Sequence, residues 1–203
     1  MSPTALGEWQ PLAREELRTL LDAQPARWWL AGGHALELFV GRSWRAHGDI
    51  DAGILRSDEA RVFGALRGWE IHTAHDGELR RLAPGEPTPR EVDSVWCRRP
   101  GAGEPWRFQL LLDPSDAGHW LFRRDPSLRV PLDELVTRAG DGCPCLRPEI
   151  QLLFKARHTR PKDEADFAVV APLLSGPAHQ WLRDALARVH PSHPWLARAE
   201  LST

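Results

Sequence analysis

The 203-residue chain contains no tyrosine, only three cysteines and no long apolar run. Two of the cysteines lie in Cys143-Pro144-Cys145, and three in all cannot build the disulfide framework of a small secreted protein. The longest apolar runs, such as 110–112 and 168–171, are far shorter than the roughly 20 residues that cross a bilayer. The first residues have neither the basic start nor the apolar core of a signal sequence. We therefore exclude a transmembrane protein and expect a cytoplasmic one.

The chain also lacks an excess of charge of either sign. Its 26 basic and 28 acidic side chains give a formal net charge of −2. Proteins that grip nucleic-acid phosphates regardless of sequence have a strongly basic character, so we expect no nucleic-acid partner. Lysine is nearly absent, because Lys155 and Lys162 are the only two in the sequence. The excess of arginine, together with ten tryptophans and 18 prolines, is explained by a GC-rich coding bias.

The order of apolar patterns predicts an α/β (α+β) fold with two parts. Strand and helix patterns alternate over residues 11–74, and hairpin-like strands follow at 91–98 and 106–113. Residues 76–90 are rich in turn formers and predict an irregular excursion. From residue 148 onward the pattern is helical, with helices predicted at 149–158, 161–174 and 177–190. We therefore predict a core over residues 1–147 and a C-terminal helical subdomain over residues 148–203 that packs on it.

The most informative stretch is 31–55, where an apolar strand, a Gly-Gly turn, a helix and two aspartates follow one another. Asp49 and Asp51 lie on one face of a predicted strand, about 6.5–7 Å apart. Carboxylates this close favour a cation between them, and oxygen ligands select Mg²⁺. Gly32 and Gly33 let a polyphosphate approach the amides at the start of the helix, where the helix dipole favours an anion. The Gly-Gly turn and the Asp-x-Asp pair are each common in ordinary turns. Together they supply a site for a metal and a nucleoside triphosphate.

At these residues the chain resembles the nucleotidyltransferases of the DNA polymerase β superfamily. Their signature is an apolar strand, Gly-Gly or Gly-Ser, a helix, and then Asp-apolar-Asp/Glu. The resemblance is closest to the aminoglycoside 2″-adenylyltransferase and lincosamide nucleotidyltransferase group. The matching residues here are Gly32-Gly33, Gly41-Arg42 and Arg45-x-His47-x-Asp49-Ile50-Asp51. The chain departs from the group at Gly48, often acidic there, and at His34, where Trp is common.

The resemblance implies a nucleotidyltransferase-type mixed sheet flanked by helices and a Mg²⁺-dependent transferase activity. The enzyme would move a nucleoside monophosphate, AMP from ATP above all, to a hydroxyl of a small aminoglycoside- or lincosamide-like acceptor, as in antibiotic resistance. Asp49 and Asp51 would hold two Mg²⁺ ions, one of them shared with a third carboxylate that takes the proton of the attacking hydroxyl. We expect Asp113, at the end of the apolar strand, to be that carboxylate. Asp116 and Asp93 are its substitutes, and a turn cap before Pro114 is the structural alternative.

Three basic side chains are candidates for neutralising the triphosphate. Lys155 and Lys162 resemble lysines in the C-terminal helices of related nucleotidyltransferases, and lysine is a compact charge suited to a β- or γ-phosphate. Arg42 is the third candidate. The alternative for the lysines is a solvated helix face with ion pairs such as Lys162–Asp166.

Two other functions remain open at the level of the sequence. One is a toxin-type nucleotidyltransferase that modifies a protein or tRNA, and the other is a non-catalytic member that binds Mg–NTP without turnover. The spaced histidines His72/His75 and His190/His193 have no companion cysteine pair, so we predict no zinc site there.

Overall fold

The structure is a computed structural model that describes residues 6–24, 26–138 and 140–199. Its helices are α1 (Arg14–Asp22), α2 (Gly32–Val40), α3 (Glu59–Ala65), α4 (Pro148–Lys155), α5 (Pro161–Val170), α6 (Gly176–Val189) and α7 (Trp195–Ala199). Its strands are β1 (Trp28–Leu30), β2 (Asp51–Leu55), β3 (Glu70–His75), β4 (Glu78–Arg81), β5 (Ser94–Arg98), β6 (Trp106–Asp113), β7 (Ser115–Asp116), β8 (His119–Phe122), β9 (Asp125–Pro131), β10 (Val136–Arg138) and β11 (Pro144–Leu146).

One large mixed sheet organises the molecule. Its eight strands run in the order β10-β11-β1-β2-β6-β5-β3-β4. The pairs β1–β11 and β2–β6 are parallel, and the other neighbours are antiparallel. A separate three-stranded sheet, β7-β8-β9, follows β6 directly in the chain. The predicted α+β class with a mixed sheet flanked by helices is confirmed.

The strand β1 is apolar throughout because both of its faces are buried. Trp28 and Leu30 belong to a core that also contains Leu17 of α1 and Val62 of α3. Trp29 points the other way, into a core built with the C-terminal helices. Continuous burial on both faces of a central strand gives an unbroken apolar run instead of an alternating one. The sequence 27–31 shows this pattern.

The C-terminal helices share a core with the N-terminal half of the chain. Leu152 of α4, Phe167 of α5 and Leu186 of α6 lie in the same buried cluster as Trp29 and Leu36. The division of the chain at residue 147 stays a prediction. Among the described residues, no helix is both long enough and apolar enough to span a membrane.

Some elements differ from the sequence-based expectations. The excursion at 76–90 contains the edge strand β4, and the small sheet at 115–131 was not predicted. The helix predicted over 161–174 ends as α5 at Val170, and the segment Ala171–Leu173 continues as a 3₁₀ turn. Pro172 lies in that turn, and a proline there removes one backbone donor that a regular helix needs.

Candidate active site

Gly32 brings the start of α2 against the carboxylate of Asp51. Its φ of +67° lies in the left-handed region, which favours glycine. A Cβ at this position would overlap Asp51 Oδ2, so the close approach itself also requires glycine. The neighbouring amide of Ala31 donates to the Asp51 carbonyl at 2.9 Å, which holds the turn on the first residue of β2. The predicted juxtaposition of the Gly-Gly turn and the second aspartate is therefore present.

Asp51 is a carboxylate whose surroundings disfavour its negative charge. Burial first, and then the charge of Asp49, raise its pKa to about 7. The positive charges of Lys155, Lys162 and Arg160 oppose this rise. Two neighbouring carboxylates that repel each other form a favourable place for a divalent cation, which supplies the missing positive charge. The oxygen-only donor set of Asp49 and Asp51 fits Mg²⁺.

Gly33 is packed against side chains of the loop that carries the two aspartates. A Cβ on Gly33 would overlap His47 Cε1 and Arg45 Nη2. The amide before it is also engaged, because Gly32 N–H donates to Gln151 Oε1 at 2.8 Å. The glycine at position 33 thus permits the tight packing of the loop on α2. A triphosphate contact by Gly32 and Gly33 stays a prediction.

A buried ion-pair cluster ties that loop to the C-terminal helices. Lys155 Nζ lies 3.0 Å from Asp163 Oδ1 and 2.9 Å from Asp166 Oδ2. Asp166, whose side chain is fully buried, also accepts from Arg45 Nε and Nη2, both at 2.8 Å. Trp44 Nε1 donates to the same carboxylate at 3.1 Å. Because of these contacts, Lys155 is held rigidly in the neighbourhood of Asp51.

The other two predicted phosphate ligands differ in position. Lys162 is half-buried near the start of α5, and among the described residues it forms no ion pair; the predicted pair with Asp166 is made by Lys155 instead. Arg42 is exposed and follows the C-terminal end of α2. Since α2 has nine residues, its length of about 14 Å separates Arg42 from the Gly32 end. The structure therefore brings Lys155 and Lys162, but not Arg42, to the Asp51 region.

Asp113 does not lie beside Asp51. In the parallel pair of β2 and β6, Asp51 pairs with Gln109, while Asp113 pairs with Leu55. Asp113 is therefore four residues farther along the same face, or about 13 Å at the rise of a strand. This distance is too great for Asp113 to share an ion with Asp51, contrary to the sequence-based expectation. We expected the C-terminal end of the apolar strand β6 to lie beside Asp51. The β2–β6 register instead places Gln109, in the middle of β6, beside Asp51.

The side chain of Asp113 is instead occupied by an arginine. It is 1% exposed, and its Oδ1 lies 3.2 Å from Arg123 Nη2. Arg123 also pairs with Asp93 Oδ2 at 2.6 Å. Burial raises the pKa of Asp113, and the charge of Arg123 opposes the rise. Of the two substitutes, Asp93 is paired with Arg123, and Asp116 follows Asp113 in β7, farther along the chain.

Gln109 occupies the place beside Asp51 where a third carboxylate was expected. Its backbone N–H donates to the carbonyl of Ile50 at 2.9 Å, which fixes the register. Its side-chain Nε2 donates to Ser94 Oγ at 2.6 Å. The sequence does indicate that Gln109 is a candidate for this place, because residues 109, 111 and 113 share one face of the strand. Choosing among them required the strand pairing.

A cavity of about 240 Å³ connects the Asp51 region with the Asp113 region. Its lining residues include Gly32, Asp51, Ser94, Gln109, Asp113 and Arg124. Apolar side chains, among them Leu111 and Phe154, complete the wall. The cavity offers hydrogen-bonding groups on an apolar wall, as small-molecule sites do.

One group of described residues has the composition of a metal site without its chemistry. The ligand atoms of His34, Glu37 and His47 lie within 4.8 Å of one another. Arg45 Nη1 lies 3.0 Å from His47 Nδ1, and because a guanidinium only donates, Nδ1 is the acceptor. The proton of His47 is therefore on Nε2, 2.9 Å from Glu37 Oε1. A metal-bound imidazole needs a proton on its second nitrogen, which Arg45 opposes. We interpret the group as hydrogen-bonded support for the aspartate loop.

Known protein families and solved structures were compared with this chain, and both comparisons gave nucleotidyltransferases. Residues 15–170 match the family model described as aminoglycoside-2″-adenylyltransferase. The lincosamide antibiotic adenylyltransferase LnuA, solved with lincomycin bound, has a similar structure, with a TM-score of 0.54, 19% identity, and coverage of 79% of this chain and 98% of that one. The structure of ANT(2″)-Ia in complex with adenylyl-2″-tobramycin is similar with a TM-score of 0.55 and 14% sequence identity, and the match covers 86% of this chain and 95% of that one. An antigenic nucleotidyltransferase-like protein from Paracoccidioides brasiliensis is similar with a TM-score of 0.51 and 17% sequence identity, and the match covers 96% of each chain. No curated protein sequence matches.

Proposed function

We propose that this nucleotidyltransferase, which belongs to the aminoglycoside-2″-adenylyltransferase family, transfers AMP from Mg–ATP to a hydroxyl of a small acceptor. The observation that carries the proposal is the overlap of a Gly32 Cβ with Asp51 Oδ2. It supports a turn built to bring a helix N-terminus and a carboxylate pair to one point, which suits a triphosphate and its metal ion.

The carboxylate pair is the proposed metal ligand set. Asp49 and Asp51 offer oxygen donors, and burial and mutual repulsion disfavour two free negative charges there. When bound, a Mg²⁺ ion withdraws charge from the phosphate oxygens and makes the α-phosphorus more open to attack. The role of the two aspartates is to hold that ion against the turn at Gly32.

The two lysines are the proposed partners of the triphosphate. The charges of Lys155 and Lys162 reach Asp51, so they also reach an anion bound next to it. Lys155 is fixed by Asp163 and Asp166, which makes it a positioned charge. Lys162 has no ion-pair partner among the described residues, so its charge is available to a phosphate. Lysine suits this role because its compact ammonium can follow a β- or γ-phosphate oxygen.

The cavity between Asp51 and Asp113 is the proposed place for the acceptor. Its volume of about 240 Å³ is below the range of about 300–1,000 Å³ for sites that enclose a drug-sized ligand. It therefore holds the reacting part of an acceptor and leaves the remainder outside. An aminoglycoside- or lincosamide-like acceptor is the first candidate, since the names of two similar structures include tobramycin and lincomycin.

One observation favours a second function, a member that binds Mg–NTP without turnover. The residue beside Asp51 on β6 is Gln109, and an amide cannot take the proton of an attacking hydroxyl as a carboxylate can. This second function predicts nucleotide binding that depends on Asp49 and Asp51, with no transfer to any acceptor.

The test uses the purified chain with Mg²⁺ and ATP radiolabelled at either the α- or the γ-phosphorus. Amino-sugar and lincosamide acceptors are supplied one at a time, and Asp51→Asn is the control. We expect label from the α-phosphorus on an acceptor and label from the γ-phosphorus in pyrophosphate. Label on a protein or tRNA would indicate the toxin-type alternative. Binding of ATP without transfer of label would indicate the non-catalytic alternative. Failure to bind ATP would contradict all three.

A further inference from the structure

The parallel pair of β2 and β6 determines what stands next to the metal-binding carboxylates. Asp51 and Gln109 are register partners, and both side chains line the same cavity. Gln109 is anchored at both its backbone N–H and its side-chain Nε2. Because Ser94 uses one N–H of Nε2, the carbonyl oxygen Oε1 and the second N–H are left to face a ligand. The group beside Asp51 is thus a neutral amide held in place.

No described carboxylate is positioned to act instead of Gln109. Asp93 and Asp113 are the other carboxylates on the cavity wall, and both are paired with Arg123. Asp113 lies at the opposite end, about 13 Å from Gln109 along β6, and Arg123 holds Asp93 at 2.6 Å in the same ion-pair group.

The C-terminal helices also add positive charge to this end of the cavity. Lys155 and Arg160 are paired with the carboxylates of Asp163 and Asp166, whereas Lys162 has no ion-pair partner among the described residues, so its positive charge is not neutralised by the chain. Two divalent ions in one site stand about 3.5–4 Å apart, and their repulsion must be offset by negative ligands. With two carboxylates, one neutral amide and nearby cations, the chain offers little negative charge for a second ion.

We propose that this site binds one divalent ion per nucleotide, held by Asp49 and Asp51, and that Gln109 in place of a third carboxylate prevents binding of a second. The proposal rests on the proposed function, since it assumes that Mg–ATP binds at Asp51. It revises the expectation of two ions. It also assigns Gln109 as the residue that sets the ion count, with its carbonyl oxygen available as a neutral hydrogen-bond acceptor for the other substrate.

The test counts Mn²⁺ ions bound to the full chain by electron paramagnetic resonance, in the presence of saturating α,β-methylene ATP. We expect one bound Mn²⁺ in the wild-type chain and two in Gln109→Glu, which restores a carboxylate beside Asp51. In this variant the Ser94 hydroxyl can donate to the new carboxylate, so the fold is kept, and a thermal melt checks this. Gln109→Ala should still bind one ion, because it adds no charge.

The matched control is Gln10→Glu, which adds the same charge on the outer surface. Gln10 accepts from Arg107 Nη1 at 3.0 Å, and a glutamate keeps that partner. This control should bind one ion. Two ions in the wild-type chain, or one ion in a folded Gln109→Glu, would overturn the proposal while leaving nucleotide binding intact. If the ATP analogue fails to bind the wild-type chain, the proposed function itself fails, and the ion-count proposal with it.

Discussion

The two ends of the cavity hold the same kind of side chain in opposite circumstances. At one end Asp51 lies beside Asp49, the Gly32 turn and the neutral Gln109. At the other end Asp113 is 1% exposed and paired with Arg123. Burial raises the pKa of both carboxyls, but the next cause at Asp51 is a like charge and at Asp113 an opposite one. The nearest charged neighbour, and not the position at a strand end, thus decides which carboxylate is left to bind a cation.

The largest effect in this comparison is expected from the Asp51 end. Asp49→Asn and Asp51→Asn each remove one ligand charge from the proposed ion and should abolish measurable AMP transfer. The radiolabel assay measures this, and circular dichroism checks that the fold is intact. Asp113→Asn is the matched variant at the other end and should keep the transfer rate within about threefold, because an ion pair remote from the reacting atoms contributes little to the rate. A large rate loss in Asp113→Asn alone would reverse the assignment of the two ends.

The next largest effect is expected at the Gly32 turn. Gly32→Ala places a methyl group onto Asp51 Oδ2 at a φ of +67°, so it should displace the carboxylate and sharply weaken ATP binding in calorimetry. Gly118→Ala is the control, because Gly118 has a φ of +80° with nothing within 4 Å of a Cβ. Both variants should lose roughly 1–3 kcal/mol of stability through backbone strain, but only Gly32→Ala should lose nucleotide affinity. Equal affinities in the two variants would show that the contact has no role in binding.

A smaller effect, on stability alone, is expected at the Asp113 end. Arg123→Gln leaves the buried Asp113 carboxylate without its cation and should lower the free energy of unfolding by about 3 kcal/mol near neutral pH. The loss should shrink as the pH falls, because protonation of Asp113 removes the unpaired charge. Urea unfolding across pH measures this. Adding Asp113→Asn to Arg123→Gln should restore part of the stability, and no restoration would indicate that the pair is not coupled.

The smallest effect concerns the stability of the nucleotide- and metal-free protein. The pKa of Asp51 is raised from 3.8 to about 7 in the folded state, so its ionised form opposes folding. This cost appears as the pH rises above 3.8 and is complete above about 7. Asp51→Asn should therefore be more stable than the wild type near pH 8, with no difference below about pH 4. Added Mg²⁺ and an ATP analogue should stabilise only the wild type. A destabilised Asp51→Asn would mean that the carboxylate is satisfied within the chain.

The sequence-based expectations succeeded where the determining contacts are local. The strand β1, the Gly32-Gly33 turn, α2 and the two aspartates all lie within residues 28–51, and the turn chemistry and apolar pattern of that stretch indicate their arrangement. The neighbour of Asp51 on β6 could not be predicted in the same way, because strand pairing joins residues 58 positions apart in the chain. A shift of two residues along β6 keeps the same face and changes which polar side chain meets Asp51. The expectation of Asp113 rested on its place at the end of the apolar strand and on the family resemblance, neither of which specifies the register.

The ion-pair cluster of the C-terminal helices shows the same limit. The scarcity of lysine indicates Lys155 and Lys162 as candidates, but the sequence assigns Asp166 as a partner to Lys162, whereas that aspartate pairs with Lys155. Lys155 contacts Asp163 and Asp166 at separations of 8 and 11 residues, across the break between α4 and α5. The angle between two helices decides these contacts, and the apolar pattern of a single helix does not specify it.

The central claim is that the Asp51 end of the cavity, and not the Asp113 end, binds Mg–ATP. The most direct measurement is the anomalous difference map of a crystal grown with Mn²⁺ and α,β-methylene ATP. The account predicts a manganese peak within about 2.0–2.6 Å of oxygens of Asp49 and Asp51, with the triphosphate against the turn at Gly32 and the Arg123–Asp113 pair intact. A manganese peak bound to Asp113, with Arg123 displaced, would contradict it.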